Sequence, residues 1–406
     1  MKRSIKIAVA AAVALTATSA FATNGDHLIG MGAKARGMGG AAIGISHGAE
    51  SALANPAMIT SVKGTEVSFG GTVFMPDVEA DIGYGSKKSD ADLNVIPEVA
   101  LASKLSDNIW LGVGMWGTAG MGTDYRDYAT QMNMVTNLQL MQFGVPVAYK
   151  SNGFSIGVAP ILQYGSLDIN YVTPLGADST TQGVAQDFGF GYNVGAAYEV
   201  DALTVGASYK SAIDMTYKGQ LSEASSQFGI NGGAGLSDHL EQPAEIGVGA
   251  SYTMGGHTLA VDYKKIKWSD AKGYKDFGWD DQNVFIVGYQ YAQDNWAVRL
   301  GYNHASNPIK EQSGANMMTP GDYDGAALNM LNLLGFPAIV EDHYTIGGTY
   351  AFSKLVSLDL AYVYTPSVTE EYDTSAMTQA MGGAATSSIK TKHSQDAASV
   401  QLNFNF

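Results

Sequence analysis

The sequence predicts an all-β fold, a 14-stranded antiparallel transmembrane β-barrel with an N-terminal plug, or hatch, segment inside the lumen. Three observations predict this fold. Apolar and polar residues alternate in runs of about ten residues, the length that a tilted strand needs to cross a bilayer. The connections between these runs alternate between tight and long. The chain is also rich in glycine and poor in charge, with 49 glycines among 406 residues and 15% charged residues, against about a quarter in typical soluble domains.

The composition excludes several functional classes. A formal net charge of −15 and a pI near 4.7 argue against nucleic-acid binding, because binding to phosphates needs a basic surface. The absence of cysteine excludes a disulfide framework, a thiolate metal site and a cysteine nucleophile. The mean hydropathy of −0.02 is too low for a helical membrane bundle. Since no later stretch has about 18 uncharged apolar residues in a row, any crossing of a membrane is expected to use strands.

Residues 1–22 have the pattern of a cleaved signal peptide. Two lysines and one arginine precede an apolar run over residues 7–15, and an A-x-A cleavage site follows at 20–22. The apolar run is shorter than the ~20 residues that a spanning helix needs. We therefore predict that the chain is exported.

Residues 23–64 lack strand alternation. They are rich in glycine and alanine and end in the turn Asn55-Pro56-Ala57. A 14-stranded barrel is wider than the roughly eight-strand size that side chains alone can fill, so something should occupy its lumen. We predict that this segment is a compact plug. The alternative is a disordered periplasmic leader, and the Asn-Pro turn and the small residues over 49–54 favour the plug.

Residues 65–406 carry the predicted barrel. In its last strand, apolar residues at 400, 402, 404 and 406 alternate with polar residues at 401, 403 and 405. A β-sandwich also alternates, but its strands average about five or six residues. The fourteen strands are predicted at 65–75, 93–105, 107–120, 137–150, 152–166, 186–200, 202–214, 243–254, 256–268, 282–292, 295–305, 342–352, 355–367 and 394–406.

The connections between the predicted strands are sorted by length. On one side they are tight turns, at 106–107, 152–153, 201, 255–256, 294 and 353–354. On the other side they are long. This sorting is typical of outer-membrane barrels, which have short periplasmic turns and long extracellular loops.

Several motifs resemble those of a known family. In chain order they are Asn55-Pro56-Ala57, the glycine-rich WGTAGMGT at 116–123, Tyr209-Lys210-Ser211, Asp262 with Trp268-Ser269, and RLGY at 299–302. Their order and spacing resemble the FadL-type outer-membrane transporters of long-chain fatty acids and other hydrophobic compounds (the OMPP1/FadL/TodX family). Each motif alone is weak, and the set spans essentially the whole mature chain.

The resemblance implies a monomeric channel in the outer membrane of a Gram-negative bacterium. In this family, loops capture a hydrophobic ligand, an internal pocket closed by the plug receives it, and it leaves sideways at a bend in the third strand. Gly117, Gly120 and Gly122 are the candidates for this bend, and the alternative places them in the second extracellular loop. Such a route is energetically favourable for a lipid-like ligand, because each CH₂ group that stays out of water lowers the free energy of the ligand by about 0.8 kcal/mol. A general diffusion porin, or a transporter of aromatic or alkane hydrocarbons, stays as the alternative function.

Charged residues are predicted inside the barrel. Alternation turns Asp262, Lys264, Arg299 and Asp359 toward the lumen. One interpretation is an ion pair between Arg299 and Asp262 that braces barrel and plug. The other is that Arg299, Lys264 or Lys210 meets the carboxylate of a ligand, since a buried anion needs a cation or donors. The structural interpretation is favoured.

The long connection 306–341 carries apolar residues at roughly helical spacing, among them Leu328, Leu331 and Leu334. They are candidates for a surface that captures the ligand. They also suit packing against neighbouring loops, which is the favoured interpretation.

The expected partners are a hydrophobic small molecule (a fatty acid or hydrocarbon), outer-membrane lipid and lipopolysaccharide. A terminal aromatic residue, Phe406, at the end of an alternating strand resembles the signal that the outer-membrane assembly machinery reads. The seven histidines show no i,i+4 pair. We therefore predict no catalytic residue, metal or cofactor, and no enzymatic activity.

Overall fold

A computed structural model describes residues 23–172, 178–180, 183–313 and 323–406. The predicted signal peptide, residues 1–22, lies outside this part of the chain. None of the helices within the described ranges combines the length and the apolar character that crossing a membrane requires.

The described residues form a closed antiparallel barrel of fourteen strands, which confirms the barrel part of the predicted fold. Each strand pairs with the next in sequence, and the last pairs with the first along Glu66–Asp81. The fourth strand is interrupted at Val145 and Pro146. The strands are β1 Thr65–Asp81, β2 Asn94–Lys104, β3 Ile109–Asp124, β4 Val135–Gly144 with Val147–Ser151, β5 Phe154–Val172, β6 Ala185–Val200, β7 Leu203–Lys210, β8 Glu245–Met254, β9 His257–Ile266, β10 Gln282–Gln293, β11 Trp296–Ala305, β12 Asp342–Ala351, β13 Val356–Asp373 and β14 Ser388–Asn405.

The turns on the predicted periplasmic side are tight because their residues accept a left-handed backbone. Asn152, Asp201, Gly255 and Asp294 all have positive φ, between 40° and 60°. Glycine, asparagine and aspartate adopt this conformation most readily, and it matches the twist of two-residue hairpins. Both ends of the barrel sequence, near Thr65 and Phe406, lie on the same side as these turns.

Side chains alternate between lipid and lumen along the wall, as the sequence predicts. On β11, Val298 and Leu300 are 48% and 55% exposed, whereas Arg299 between them is 5% exposed. Asp262 on β9 and Asp359 on β13 are likewise buried on the inner side. An apolar outer band next to a polar inner face is what a lipid-embedded barrel requires.

Several strands extend further than predicted on the long-loop side. β5 runs to Val172 instead of residue 166, and β13 runs to Asp373 instead of residue 367. In the distal part of β5 the outward positions become polar, at Ser166, Asp168 and Asn170, while Leu167 and Ile169 stay buried on the inner side, so the pattern of a lipid-facing strand ends although the backbone pairing continues. β7 is shorter than predicted and ends at Lys210, because the chain turns inward and Ile213 pairs with Gln242.

Four helices lie outside the wall strands in the described residues. Helix α1 (Ala33–Gly37) belongs to the N-terminal segment, residues 23–64. The other three lie in long connections: α2 Leu221–Gln227, α3 Asp324–Gly335 and α4 Ser375–Ala380. The largest cluster of buried apolar residues joins these connections to the N-terminal segment.

Candidate functional site

Strand β3 leaves the wall of the barrel after Trp116. The β2–β3 ladder runs from the pair Lys104–Trp110 to the pair Glu98–Trp116 and ends there. Beyond it, residues 94–97 of β2 pair only with β1. Residues 116–124 of β3 are buried on both faces and still pair with β4, after a register shift between Gly117 and Ala119. The hydrogen-bonded wall therefore has a break between β2 and β3.

The three candidate glycines lie at and beyond this register shift. A Cβ atom at Gly117 would lie 2.6 Å from Cγ2 of Ile96, and one at Gly122 would lie 2.1 Å from the carbonyl oxygen of Thr136. The amide of Gly120 donates to the carbonyl of Asp26 in the N-terminal segment at 3.0 Å. All three belong to strand β3, which continues to Asp124, and not to the following loop. Glycine permits the close approach of backbones that this bend requires.

Apolar side chains lie on the lumen side of the break. Leu28 and Ile29 of the N-terminal segment pack with Phe74 of β1 and Ile96 of β2, and each is at most 3% exposed. A buried ion pair lies beside them at the end of the β2–β3 ladder, where Arg36 on α1 binds Glu98. These contacts place α1 directly behind the break.

Arg36 also donates to two hydroxyl groups on neighbouring strands. Its Nη1 lies 2.7 Å from Oγ1 of Thr72 and 3.4 Å from Oγ of Ser399. No role is assigned to Arg36 from the sequence. The signal that was available is Glu98, an acidic residue at an inward position of a mostly apolar strand.

The motif Asn55-Pro56-Ala57 fixes the N-terminal segment to the opposite part of the wall. Oδ1 of Asn55 accepts from the amide of Ala57 at 3.1 Å and so caps the turn Pro56–Ser61. Its Nδ2 donates to the carbonyls of Ala196 on β6 and Ala207 on β7, at 3.3 and 3.4 Å. An asparagine serves here because one side chain supplies both an acceptor and a donor.

Asp262 fixes the same segment from strand β9. Its carboxylate accepts from the amides of Ala42, Ile43 and Gly44, at 2.7, 2.7 and 3.2 Å. Charge-assisted hydrogen bonds of this kind are roughly twice as strong as neutral ones. The predicted brace between barrel and N-terminal segment is therefore present at Asp262, but the segment supplies it through its backbone.

The predicted ion pair between Arg299 and Asp262 is wrong. Arg299 donates to Gln290 at 2.8 Å and to Thr349 at 2.7 Å, and its Nη1 lies 3.8 Å from Asp359. The physical reason is strand order: β10 separates β9 from β11, and the oxygens of Asp262 are already occupied by backbone amides.

Lys210 and Lys264 are brought together at an internal cavity of about 70 Å³ between the N-terminal segment and strands β6 to β10. Both bind Glu245, Lys210 at 3.5 Å and Lys264 at 3.3 Å. Sequence reasoning missed Glu245, although its inward position at the start of β8 was readable from alternation. The cavity is lined by His27, Leu28, Ile29, Gly30, Met31, Gly40, Ala42, Ile43, Leu53, Ala54, Asn193, Ser208, Lys210, Glu245, Ile246, Gly247, Lys264 and Ile286.

Helix α3 packs into the extracellular end of the barrel. Leu331 and Leu334 are at most 1% exposed, and Leu328 is partly buried against the same cluster. The carbonyl of Leu334 accepts from Oγ1 of Thr123 on β3 at 2.8 Å. Of the two interpretations of this segment, the structure has the packed one, because the apolar face of α3 points inward and not to solvent.

A family model described as outer membrane protein transport protein (OMPP1/FadL/TodX) matches residues 7–328 of this chain. Among curated relatives, a long-chain fatty acid transport protein of Escherichia coli (strain K12) is 24% identical over 428 residues, which cover 88% of this chain and 91% of that protein. A 47 kDa outer membrane protein of Pasteurella multocida is 24% identical over 353 residues, covering 76% and 79%.

Solved structures of the same fold cover nearly the whole chain. The toluene transporter TodX of P. putida matches with a TM-score of 0.66 and 19% identity, over 93% of this chain and 99% of that one. A FadL homologue of Pseudomonas aeruginosa matches with a TM-score of 0.69 and 15% identity, over 94% and 100%.

Proposed function

The chain belongs to the OMPP1/FadL/TodX family of outer-membrane transport proteins, and on that premise we propose that it is a channel for passive uptake of long-chain fatty acids or similar hydrophobic molecules. Its barrel lies in the outer membrane of a Gram-negative bacterium, as its relatives do. The curated relatives include a fatty acid transporter, and the structural neighbours include a toluene transporter.

The observation that carries the proposal is the break between β2 and β3. An aqueous channel does not need a gap in its wall, whereas a hydrophobic ligand that leaves through such a gap enters lipid without crossing water. Each CH₂ group of the ligand that stays out of water on this path lowers the free energy of the ligand by about 0.8 kcal/mol. We assign the lateral exit to this break, with Gly117, Gly120 and Gly122 allowing the bend in β3.

We assign the role of plug to the N-terminal segment. Its contacts with Ala196, Asp262 and Glu98 on three separated strands support this role, because a segment held on several sides of the lumen obstructs water and ions. The turn at Asn55-Pro56-Ala57 is one of its anchors.

The route begins at the extracellular loops and continues to the internal cavity. Leu328 is the partly buried member of the α3 leucines and is our candidate for first contact with the ligand, while Leu331 and Leu334 close the top of the lumen. At the cavity, Lys210 and Lys264 are the candidates for contact with the polar end of a ligand. Arg299 and Asp262 are assigned structural roles, because neither lines the cavity.

The test is an equilibrium titration of the purified, folded protein with a fluorescent long-chain fatty acid, competed by unlabelled fatty acid and by toluene. The proposal predicts saturable binding that at least one competitor displaces. Displacement by the fatty acid alone supports the fatty acid class, and displacement by toluene supports hydrocarbons. A lack of saturable binding, together with salt conductance across a planar bilayer, would contradict the proposal and identify a general diffusion porin.

A further inference from the structure

The hydrogen bonds behind the cavity determine which nitrogen of His27 carries its proton. Gln242 donates through Nε2 to Asp26 at 3.0 Å, so its Oε1 is an acceptor. That oxygen lies 2.7 Å from Nε2 of His27, which therefore carries a hydrogen. Burial holds the pKa of His27 below 6.5, so the ring is neutral at pH 7. In a neutral imidazole with a protonated Nε2, Nδ1 is an acceptor.

Among the residues that the structure describes, Nδ1 of His27 has no hydrogen-bond partner, although the side chain is buried and lines the cavity. The neighbouring polar atom, Oε1 of Glu245, is 3.6 Å away and is also an acceptor. Two acceptors side by side in a buried place leave a position for a donor between them.

Asn193 presents a second free acceptor to the same cavity. Its Nδ2 donates to the carbonyl of Leu53 at 2.5 Å and approaches that of Ala54 at 3.5 Å, which fixes the orientation of the amide. Its Oδ1 has no hydrogen-bond partner within the described part of the chain, and the residue is 1% exposed. Acceptors therefore face the cavity from the N-terminal segment and from strand β6.

The fixed charges around the cavity already balance. Lys210 and Lys264 both bind Glu245, and Asp26 lies near enough for its charge to act on Lys210. A carboxylate ligand would add a buried charge without a free counter-ion and would face acceptors. A plain hydrocarbon would leave the acceptors unpaired. A hydroxyl group donates one hydrogen bond and accepts from the spare N–H groups of the lysines.

We propose that this cavity binds the hydroxyl group of a neutral hydrophobic ligand, an alcohol or a phenol, with His27 and Asn193 as the acceptors that select it. The proposal rests on the proposed function and narrows its ligand class from hydrophobic molecules in general to neutral ones that carry a hydroxyl group. A cavity of about 70 Å³ holds roughly two water molecules, so it takes the hydroxyl end of the ligand. The apolar part of the ligand then extends out of the cavity past Leu28 and Ile29, which line it and also pack with Ile96 on the lumen side of the break.

The experiment compares three ligands of one shape: 4-butylphenol, butylbenzene and 4-butylbenzoate. Binding to the full mature chain in lipid nanodiscs is measured by calorimetry at pH 7.5, with empty nanodiscs subtracted. The phenol is expected to bind about tenfold more tightly than butylbenzene, the effect of about one buried hydrogen bond, and more tightly than the benzoate.

Two variants test the assignment to the cavity. His27→Phe keeps a ring against Trp268, whose centroid lies 5.1 Å from that of His27, and removes the acceptor. Asn193→Leu removes the acceptor on the opposite wall. Each is expected to abolish the preference for the phenol, because the phenol loses an acceptor and butylbenzene no longer leaves that acceptor unpaired. The matched control His257→Phe changes an exposed histidine outside the cavity and is expected to keep the preference.

The outcomes separate this inference from the proposed function. Saturable binding of butylbenzene or the benzoate without a preference for the phenol overturns the inference and leaves the proposed function intact. A preference for the phenol that survives in both folded cavity variants also overturns it. Absence of saturable binding of all three ligands to the wild type and to His257→Phe counts against the proposed function itself.

Discussion

Inside the barrel, Lys34 of the N-terminal segment stands among three carboxylates. Its Nζ lies 3.2 Å from Glu50, 3.6 Å from Asp359 and 3.7 Å from Glu66. One lysine cannot neutralise three acids, even with Arg299 at 3.8 Å from Asp359. Burial raises the pKa of Glu50, Lys34 lowers it and the charge of Asp359 raises it, and together these effects bring the pKa to about 7. Glu50 is therefore the residue that holds a proton near neutral pH.

Replacing Glu50 with glutamine tests this charge balance. The folded state binds the proton of Glu50 more tightly than the unfolded state does. The stabilisation that this proton gives is therefore complete below pH 4.5 and is lost as the pH rises through about 7. We expect wild-type stability to fall by about 1–3 kcal/mol between about pH 5.5 and about pH 8.5, and Glu50→Gln to remove this slope. Thermal unfolding of the barrel at several pH values measures this dependence of stability on pH. Glu199→Gln, at a partly exposed position, serves as the control. An unchanged slope in Glu50→Gln would assign the proton to another group.

Partners of single residues were the hardest feature to predict from the sequence. Alternation correctly turned Lys264, Arg299 and Asp262 inward, because that depends on a strand's own periodicity. It could not pair them, because pairing depends on strand order and on where the N-terminal segment lies. Asp262 shows the difference: its partners are backbone amides of residues 42–44, which no pattern of side chains reveals.

At the scale of elements, helix α1 and the end of the β2–β3 ladder form one unit. Glu98 pairs with Trp116 at the last position of the ladder and binds Arg36 through its side chain. Both charged residues are at most 4% exposed. A buried ion pair adds little to the stability of a fold compared with an apolar pair of similar size. Removing one partner, however, leaves a buried unpaired charge, which destabilises the fold.

Removing Arg36 alone should therefore be more damaging than removing both partners. Arg36→Met is expected to destabilise the barrel by about 3–5 kcal/mol, and Arg36→Met with Glu98→Gln to recover most of that loss. Urea unfolding of the folded protein, followed by tryptophan fluorescence, gives the two differences. Equal losses in the single and double variants would show that the ion pair does not anchor α1.

The strands and the bend were predictable to different degrees. All fourteen strands were found from alternation and loop length, since both are local properties of the chain. The bend was expected from the family resemblance, with the glycines at 117, 120 and 122 as candidates for its position; its direction was not predicted, because it follows from contacts with Asp26 and Ile96. The interruption of β4 at Pro146 was not predicted; Pro146 lacks an amide hydrogen and its carbonyl accepts from Gly112.

At the scale of the whole molecule, the N-terminal segment contacts several strands of the barrel, and the described wall has a break between β2 and β3. Anchors at Asn55, Asp262 and Arg36 hold the N-terminal segment on separate strands. The packed loops, with α3, cover the extracellular end. The break between β2 and β3 then becomes the proposed exit for a ligand that has reached the lumen.

A disulfide across that break tests the lateral exit most directly. A Cβ atom at Gly117 would lie 3.8 Å from Cβ of Ile96, which is about the Cβ–Cβ separation of a disulfide. The chain has no other cysteine, so Ile96→Cys with Gly117→Cys forms a single defined bond. Uptake of radiolabelled oleate and of toluene is measured in Gram-negative cells that lack their own transporter of this family.

The account predicts that the oxidised double variant takes up no more ligand than cells without the channel, and that a reductant restores uptake. The single variant Ile96→Cys serves as the control and should transport under both conditions. Full uptake with the disulfide shown to be formed would contradict the account, because the ligand would then leave by another path.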